Sequence, residues 1–139
     1  MDVMRVEQRA KTLLRSKFKC AEGVLKAVAE EAGLDSPLIP RVATGFCSGM
    51  ARSGEMCGAV TGGIMALGLV CGRDGADESV ANVYRKVQQF QAEFKTNCGS
   101  LNCFELTGCD LATDAGRKAF AERGMAEKCT QFTALAAGL

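Results

Sequence analysis

Between Gly54 and Gly72 the chain reads GEMCGAVTGGIMALGLVCG, a run of apolar and glycine residues with no charge from Met56 onward. Such a segment must leave water, as a buried helix inside a domain or as a span across a bilayer. The uncharged stretch is at the short end of what crosses ~30 Å of hydrocarbon. It also holds Gly58, Gly62, Gly63, Gly68 and Gly72, each costing about 1 kcal/mol of helix propensity relative to alanine. That balance favours a central buried helix over a membrane span. Gly54, Gly58, Gly62 and Ala66 recur every four residues, a smooth stripe that lets a neighbouring backbone come close.

The flanking sequence is helical in period. Val3, Val6, Ala10, Leu13 and Leu14 share a face opposite Arg5, Glu7, Arg9 and Lys11, which predicts an amphipathic helix over 3–17. A second helix is expected from near Phe18 or Cys20 to Gly33, with Cys20, Val24, Leu25, Val28 and Ala32 inward. Pro37 and Pro40 bracket a turn or one short helical turn, and Gly45 to Gly54 reads as a glycine-rich loop. From Asp77 to Thr96 a helix turns Val80, Val83, Tyr84, Val87, Phe90 and Phe94 inward. Asn97 to Asp110 reads as a cysteine-dense loop, Asp114 caps a helix to Arg123, and a last helix from Met125 to Ala137 carries Cys129, Phe132 and Ala136 on one side. No strand pattern and no internal repeat occur. The expectation is one all-α domain over 1–139, an irregular bundle of five or six helices around the glycine-rich one.

Composition removes whole classes of chemistry. There is no histidine, so a Ser-His-Asp triad, a Cys-His dyad and a His-ligated zinc are excluded. With no tryptophan, one tyrosine and a net charge of +1, neither base stacking nor a basic field draws the chain to nucleic acid. The opening MDVMRVEQRAKTLLRSKFK is highly charged and shows no apolar signal-peptide core, so a cytoplasmic location is expected. Against these absences stand eight cysteines, at 20, 47, 57, 71, 98, 103, 109 and 129. In a reducing compartment such a set points to metal binding or thiol redox work. None forms a CxxC pair, so neither a thioredoxin-type motif nor a zinc knuckle is present.

Taken singly, Cys57 has the strongest argument for reactivity. A helix starting at Ser53 or Gly54 puts it in the first turn, where unpaired N–H groups stabilise a thiolate, with Arg52 assisting and Glu55 opposing. The competing reading is a small buried hydrophobe. Cys20 and Cys129 fall on apolar faces as core filler, Cys47 and Cys71 read as structural, and Cys98, Cys103 and Cys109 lie close together in the late loop.

FKCAEGVL (Phe18 to Leu25), GFCSGMARSGEMCGAVTGGIMALGL (Gly45 to Leu69), CFEL (Cys103 to Leu106) and the late Cys129 together resemble a family of small redox-active proteins named for the cysteine pattern C_GCAxxG_C_C. The resemblance implies that the four family cysteines fall on Cys20, Cys57, Cys103 and Cys129 and form one site with a thiol redox role. On that reading Cys57 is the low-pKa attacking thiolate, and Cys20, Cys103 or Cys129 resolves the mixed disulfide. Related sequence also resembles part of a dimeric multihaem cytochrome, which implies the alternative of an electron-transfer protein. There Cys20, Cys57, Cys103 and Cys129 would hold an iron–sulfur cluster or zinc, with Cys98 or Cys109 as substitutes. A third reading is a structural or interaction domain whose cysteines only pack. A redox partner protein and a homodimer through the glycine face are the expected partners. Cys47, Cys71, Cys98 and Cys109 are extra to the pattern.

Overall fold

A computed structural model describes residues 2–129 and 131. Among them the chain is all-α: helices and turns account for the fold, and the single extended pairing is an isolated antiparallel bridge between Met56 and Asn102. Helix α1 (Val3–Arg15) is capped by Asp2, whose side chain accepts from the Arg5 N–H, and it buries Val6, Ala10 and Leu13. Helix α2 (Cys20–Glu31) buries Ala21, Gly23, Val24, Leu25, Ala27, Val28 and Ala29. Exposed pairs of Arg5 with Glu31 and Arg9 with Glu30 tie the two together, and the apolar seam between them supplies most of the attraction.

The glycine-rich helix, α4 (Gly58–Cys71), packs mainly on α2 and next on α5 (Ala81–Cys98). The close approach expected of the stripe occurs at Gly58, Gly62 and Ala66, all buried. A Cβ on Gly62 would stand 2.7 Å from the Ala21 carbonyl oxygen, so the α2 backbone lies directly on the glycine. On another side of α4, a Cβ on Gly63 would meet the Phe90 ring at 2.3 Å. Burial does not extend along the whole run. Leu69 and Val70 are exposed at the far end, and no helix among the described residues is long and apolar enough to cross a membrane.

Several boundaries depart from the sequence expectation. The glycine-rich helix begins at Gly58, four residues later than Gly54, because Cys57 and Cys103 are held in the bridge: the Cys57 N–H donates to Leu101 and the Cys103 N–H to Glu55, both at 2.7 Å. Gly45 to Gly54 is not an open loop. It forms a 3-10 helix, Arg41–Phe46, followed by α3 (Cys47–Arg52). The late cysteine loop contains α6 (Cys103–Thr107), capped by the Asn102 side chain on the Glu105 N–H. Helix α7 (Asp114–Glu122) is capped by Thr113 where Asp114 was expected. In α5 only Phe90 and Phe94 are buried, while Tyr84 is 59% exposed, since α4 covers only part of that face. Residues 125–129 are helical, as expected, whereas Phe132 and Ala136 lie outside the described residues. The helical segments therefore exceed the five or six expected, the additions being short turns at the cysteines.

Two glycines in one helix separate packing from propensity. Gly62→Ala should lower stability in urea by about 1–3 kcal/mol, because the α2 backbone must move. Gly68→Ala, with nothing within 4 Å of the added carbon, should raise it by about 0.5–1 kcal/mol. Equal effects at the two positions would contradict the α2–α4 contact.

Candidate functional site

Four helices end or begin at one place. Cys20 is the first residue of α2, Cys47 of α3 and Cys103 of α6, while Cys57 is the residue capping α4. A cavity of about 320 Å³ opens there, and Cys20, Cys57, Cys103 and Cys129 all line it. The four positions implied by the resemblance are thus brought together. Cys47 and Cys109 belong to the same cluster without lining the cavity. Cys47, 4% exposed, contacts Cys20 through its thiol, and the Cys109 charge is felt at both Cys103 and Cys129. Cys71 and Cys98 stand apart. Cys71 accepts a hydrogen bond from Lys86 Nζ at 3.4 Å, and the Cys98 thiol is raised by burial alone.

Glycine explains how the sulfurs come so close to backbone. A Cβ on Gly58 would lie 2.2 Å from Cys20 Sγ and 3.3 Å from the Cys47 Cα, so this residue is the floor under both cysteines. A Cβ on Gly49 would lie 2.5 Å from Cys103 Cβ and 3.0 Å from its Sγ. Gly49 sits inside a stretch of unusual backbone. Ser48, Gly49, Met50, Ala51 and Arg52 all have positive φ, between 57° and 69°, which makes α3 a left-handed turn. For residues other than glycine that conformation costs about 1–2 kcal/mol each, so the surroundings must hold it. Its closure is visible in the Ser53 and Glu55 N–H groups, which both donate to the Gly49 carbonyl, at 3.2 and 3.1 Å.

The electrostatics single out Cys20. Its thiol is drawn down to about 6, first by the hydrogen-bonding Cys47 thiol and then, against the penalty of burial, by the N–H groups of Ser48, Ala21 and Cys20 itself. Three sources of donors thus converge on one half-buried sulfur: the start of a twelve-residue helix, the left-handed turn and a second thiol. The Cys47 thiol is pushed up by the same contact and by burial, because ionising it would set a second negative sulfur beside the Cys20 thiolate.

Cys57 behaves opposite to expectation. Its thiol is raised, by burial first and then by the negative charge of Cys20, with Cys103 and Cys129 adding to it. The later start of α4 makes Cys57 the residue before the first turn, and the packing that buries it outweighs what the helix end offers. The assignment of Cys57 as the low-pKa thiolate is therefore corrected in favour of Cys20. Cys103 is pushed up to about 11 and Cys129 to about 12, both mainly by burial and then by the charge of Cys20.

Among the described residues, no three Cys, Asp or Glu side chains are arranged to hold one metal ion. The sequence placed Cys20 at the site through the motif FKCAEGVL and near a helix start, but nothing in it marked this sulfur as the acidic one. For Cys47, in the glycine-rich lead, spacing offered none.

A family model described as "Putative redox-active protein (C_GCAxxG_C_C)" matches residues 18–139, which take in all eight cysteines. No curated protein and no solved structure matches.

The depressed Cys20 thiol has a thermodynamic signature. Its folded value of about 6 lies below the unfolded value of about 8.5, so its stabilisation is complete above the unfolded value and is lost as pH falls through 6. In reductant, wild-type protein should gain stability over Cys20→Ser between about pH 6 and 8.5 and lose that margin below it. The raised thiols oppose folding only at higher pH, and both proteins contain them. Parallel urea midpoints across that window would remove Cys20 as the acidic thiol.

Proposed function

The chain belongs to the redox-active protein family named for the C_GCAxxG_C_C cysteine pattern, and from that premise we propose that it carries out thiol–disulfide exchange with Cys20 as the attacking sulfur and Cys47 as the resolving one. The observation that carries this reading is the environment of Cys20: a half-buried sulfur at a helix start, facing a cavity and seated in the Gly58 hollow beside Cys47, whose own thiol donates to the Ala43 carbonyl at 3.5 Å. A thiol ionised near neutral pH is present as the nucleophile, and a neighbouring protonated thiol supplies both the second sulfur and the proton for the leaving group.

The exchange runs in two steps. The Cys20 thiolate attacks one sulfur of a disulfide RSSR, forming a Cys20–S–S–R mixed disulfide and releasing RS⁻. The Cys47 sulfur then attacks the Cys20 sulfur, its proton passes to the second departing sulfur, and RSH leaves. Two cysteines are oxidised to one disulfide and RSSR is reduced to two thiols, so electrons and protons balance. The reverse sequence reduces a partner at the cost of the protein thiols, and the potential of the couple sets the direction. Gly58 gives this step room, since any side chain there would occupy the position of Cys20 Sγ. Cys57, Cys103 and Cys129 are the further thiols of the same site. Their high pKa values keep them protonated while Cys20 is ionised, and each is a candidate second acceptor once Cys20 and Cys47 are joined.

The test is alkylation of the reduced protein by iodoacetamide at graded pH, read cysteine by cysteine by peptide mass spectrometry. Cys20 should reach half its maximal rate near pH 6, whereas an ordinary thiol does so near 8.5. Adding one equivalent of oxidant should join Cys20 to Cys47 before any other pair forms. A Cys20 that titrates like a free cysteine, or a first disulfide that excludes it, would falsify the assignment.

A further inference from the structure

The cavity that receives Cys20 is not neutral. Lys19, Arg52 and Arg117 all contribute to its wall, and among the described residues no carboxylate does. Lys19 directly precedes Cys20, so the ammonium is carried on the same chain turn as the sulfur. Arg52 is the last residue of the left-handed turn, φ +69°, and is exposed. Among the described residues neither Lys19 nor Arg52 has an acidic side chain in salt-bridge range, whereas Arg5, Arg9, Arg15, Lys26, Arg117 and Lys118 each have one. Arg117 is different: it pairs with Asp114 and donates to the Leu111 carbonyl at 2.7 Å, so its charge is partly spent in holding the wall. The lining also includes the apolar side chains of Leu14, Phe18, Leu106 and Phe120.

A buried-to-surface cleft with two unpaired cations at its rim focuses a positive field, which raises the local concentration of anions and speeds their encounter with the sulfur. The single negative charge of the Cys20 thiolate does not cancel two cations. The cavity, about 320 Å³, is at the small end of ligand sites, so a whole folded partner does not enter it.

Resting on the thiol-exchange reading, we infer that the substrate is a low-molecular-weight organic disulfide that carries carboxylates near its sulfurs, selected by Lys19 and Arg52 at the mouth of the Cys20 cavity. The carboxylates sit against the ammonium and guanidinium, the disulfide reaches Cys20, and the apolar wall takes the carbon skeleton. Exchange then follows the balanced two-step course given above, with the anionic disulfide as oxidant and its two thiols as products.

The experiment compares three disulfides of different charge on the reduced full-length protein: the dianion 5,5′-dithiobis(2-nitrobenzoate), neutral 2,2′-dithiodipyridine and dicationic cystamine. The rate of Cys20 modification is read by quench and mass spectrometry, and each rate is divided by that of a free cysteine peptide to remove intrinsic electrophilicity. At low salt the normalised rate for the dianion should exceed that for the dication by about tenfold or more. That ratio should fall towards one as salt rises from about 20 to about 500 mM, where the Debye length becomes shorter than the cleft. Arg52→Gln should reduce the dianion-to-dication ratio by about threefold or more, because losing one unit charge weakens the dianion's attraction and the dication's repulsion together, and Arg52→Lys should restore most of it. A ratio near one in wild-type protein at low salt, or one unmoved by Arg52→Gln, overturns the charge selection while leaving thiol exchange standing. If Cys20 reacts with none of the three faster than the free peptide does, the exchange reading falls and this inference falls with it. The salt series on wild-type protein decides the matter even where a variant does not fold.

Discussion

The contact on which the rest of the molecule depends is the backbone-to-backbone meeting of α2 with the first turns of α4. At Gly62 the helices touch with no side chain between them, and at Gly58 the same absence leaves a hollow that Cys20 Sγ fills. One surface therefore does two jobs: it closes the core and it fixes the position of a sulfur atom. A larger residue at either glycine separates the helices, and the cavity that begins at their junction loses its floor. Close packing makes this sensitive, since interiors at crystal-like density have little slack to redistribute.

From that junction the chemistry follows by electrostatics. Several thiols in one small volume cannot all ionise, because each negative charge raises the cost of the next. The first goes where donors are densest, at Cys20, and its charge together with burial holds Cys57, Cys103 and Cys129 in the protonated form. The left-handed turn at Ser48 to Arg52 has its place in this arrangement. It carries the Ser48 N–H that favours the Cys20 thiolate, sets Gly49 against Cys103 and ends at the cation on the cavity wall. Backbone strain of that size, gathered at a cluster of reactive groups, is the pattern of a site whose geometry the surrounding fold imposes.

How far the sequence could be read differs by feature. The helical period of α1, α2 and the glycine-rich run was plain, since periodicity records which face each helix buries. The motif residues pointed to Cys20, Cys57, Cys103 and Cys129, and these four line one cavity. What misled was a boundary. Beginning the glycine-rich helix at Gly54 put Cys57 in the first turn; beginning it at Gly58, where the bridge to Asn102 fixes the chain, makes Cys57 a buried cap. A shift of one helical turn leaves Cys57 buried with a raised thiol, while the lowered thiol is at Cys20. The left-handed turn had no legible signal either, because Ser48, Met50, Ala51 and Arg52 have no preference for positive φ and adopt it only under tertiary constraint.

By itself the sequence determined the all-α class, the close helix contact at small residues and a chemistry of thiols without histidine, since each follows from residue type and local period alone. Which sulfur is acidic, which thiol stands beside it and which cations face the cavity were decided only in three dimensions. Acidity is set by the sum of donors, charges and solvent around an atom, and at Cys20 those come both from its own helix start and from Cys47 and Ser48, distant in the chain and brought near by two helices that touch at glycine.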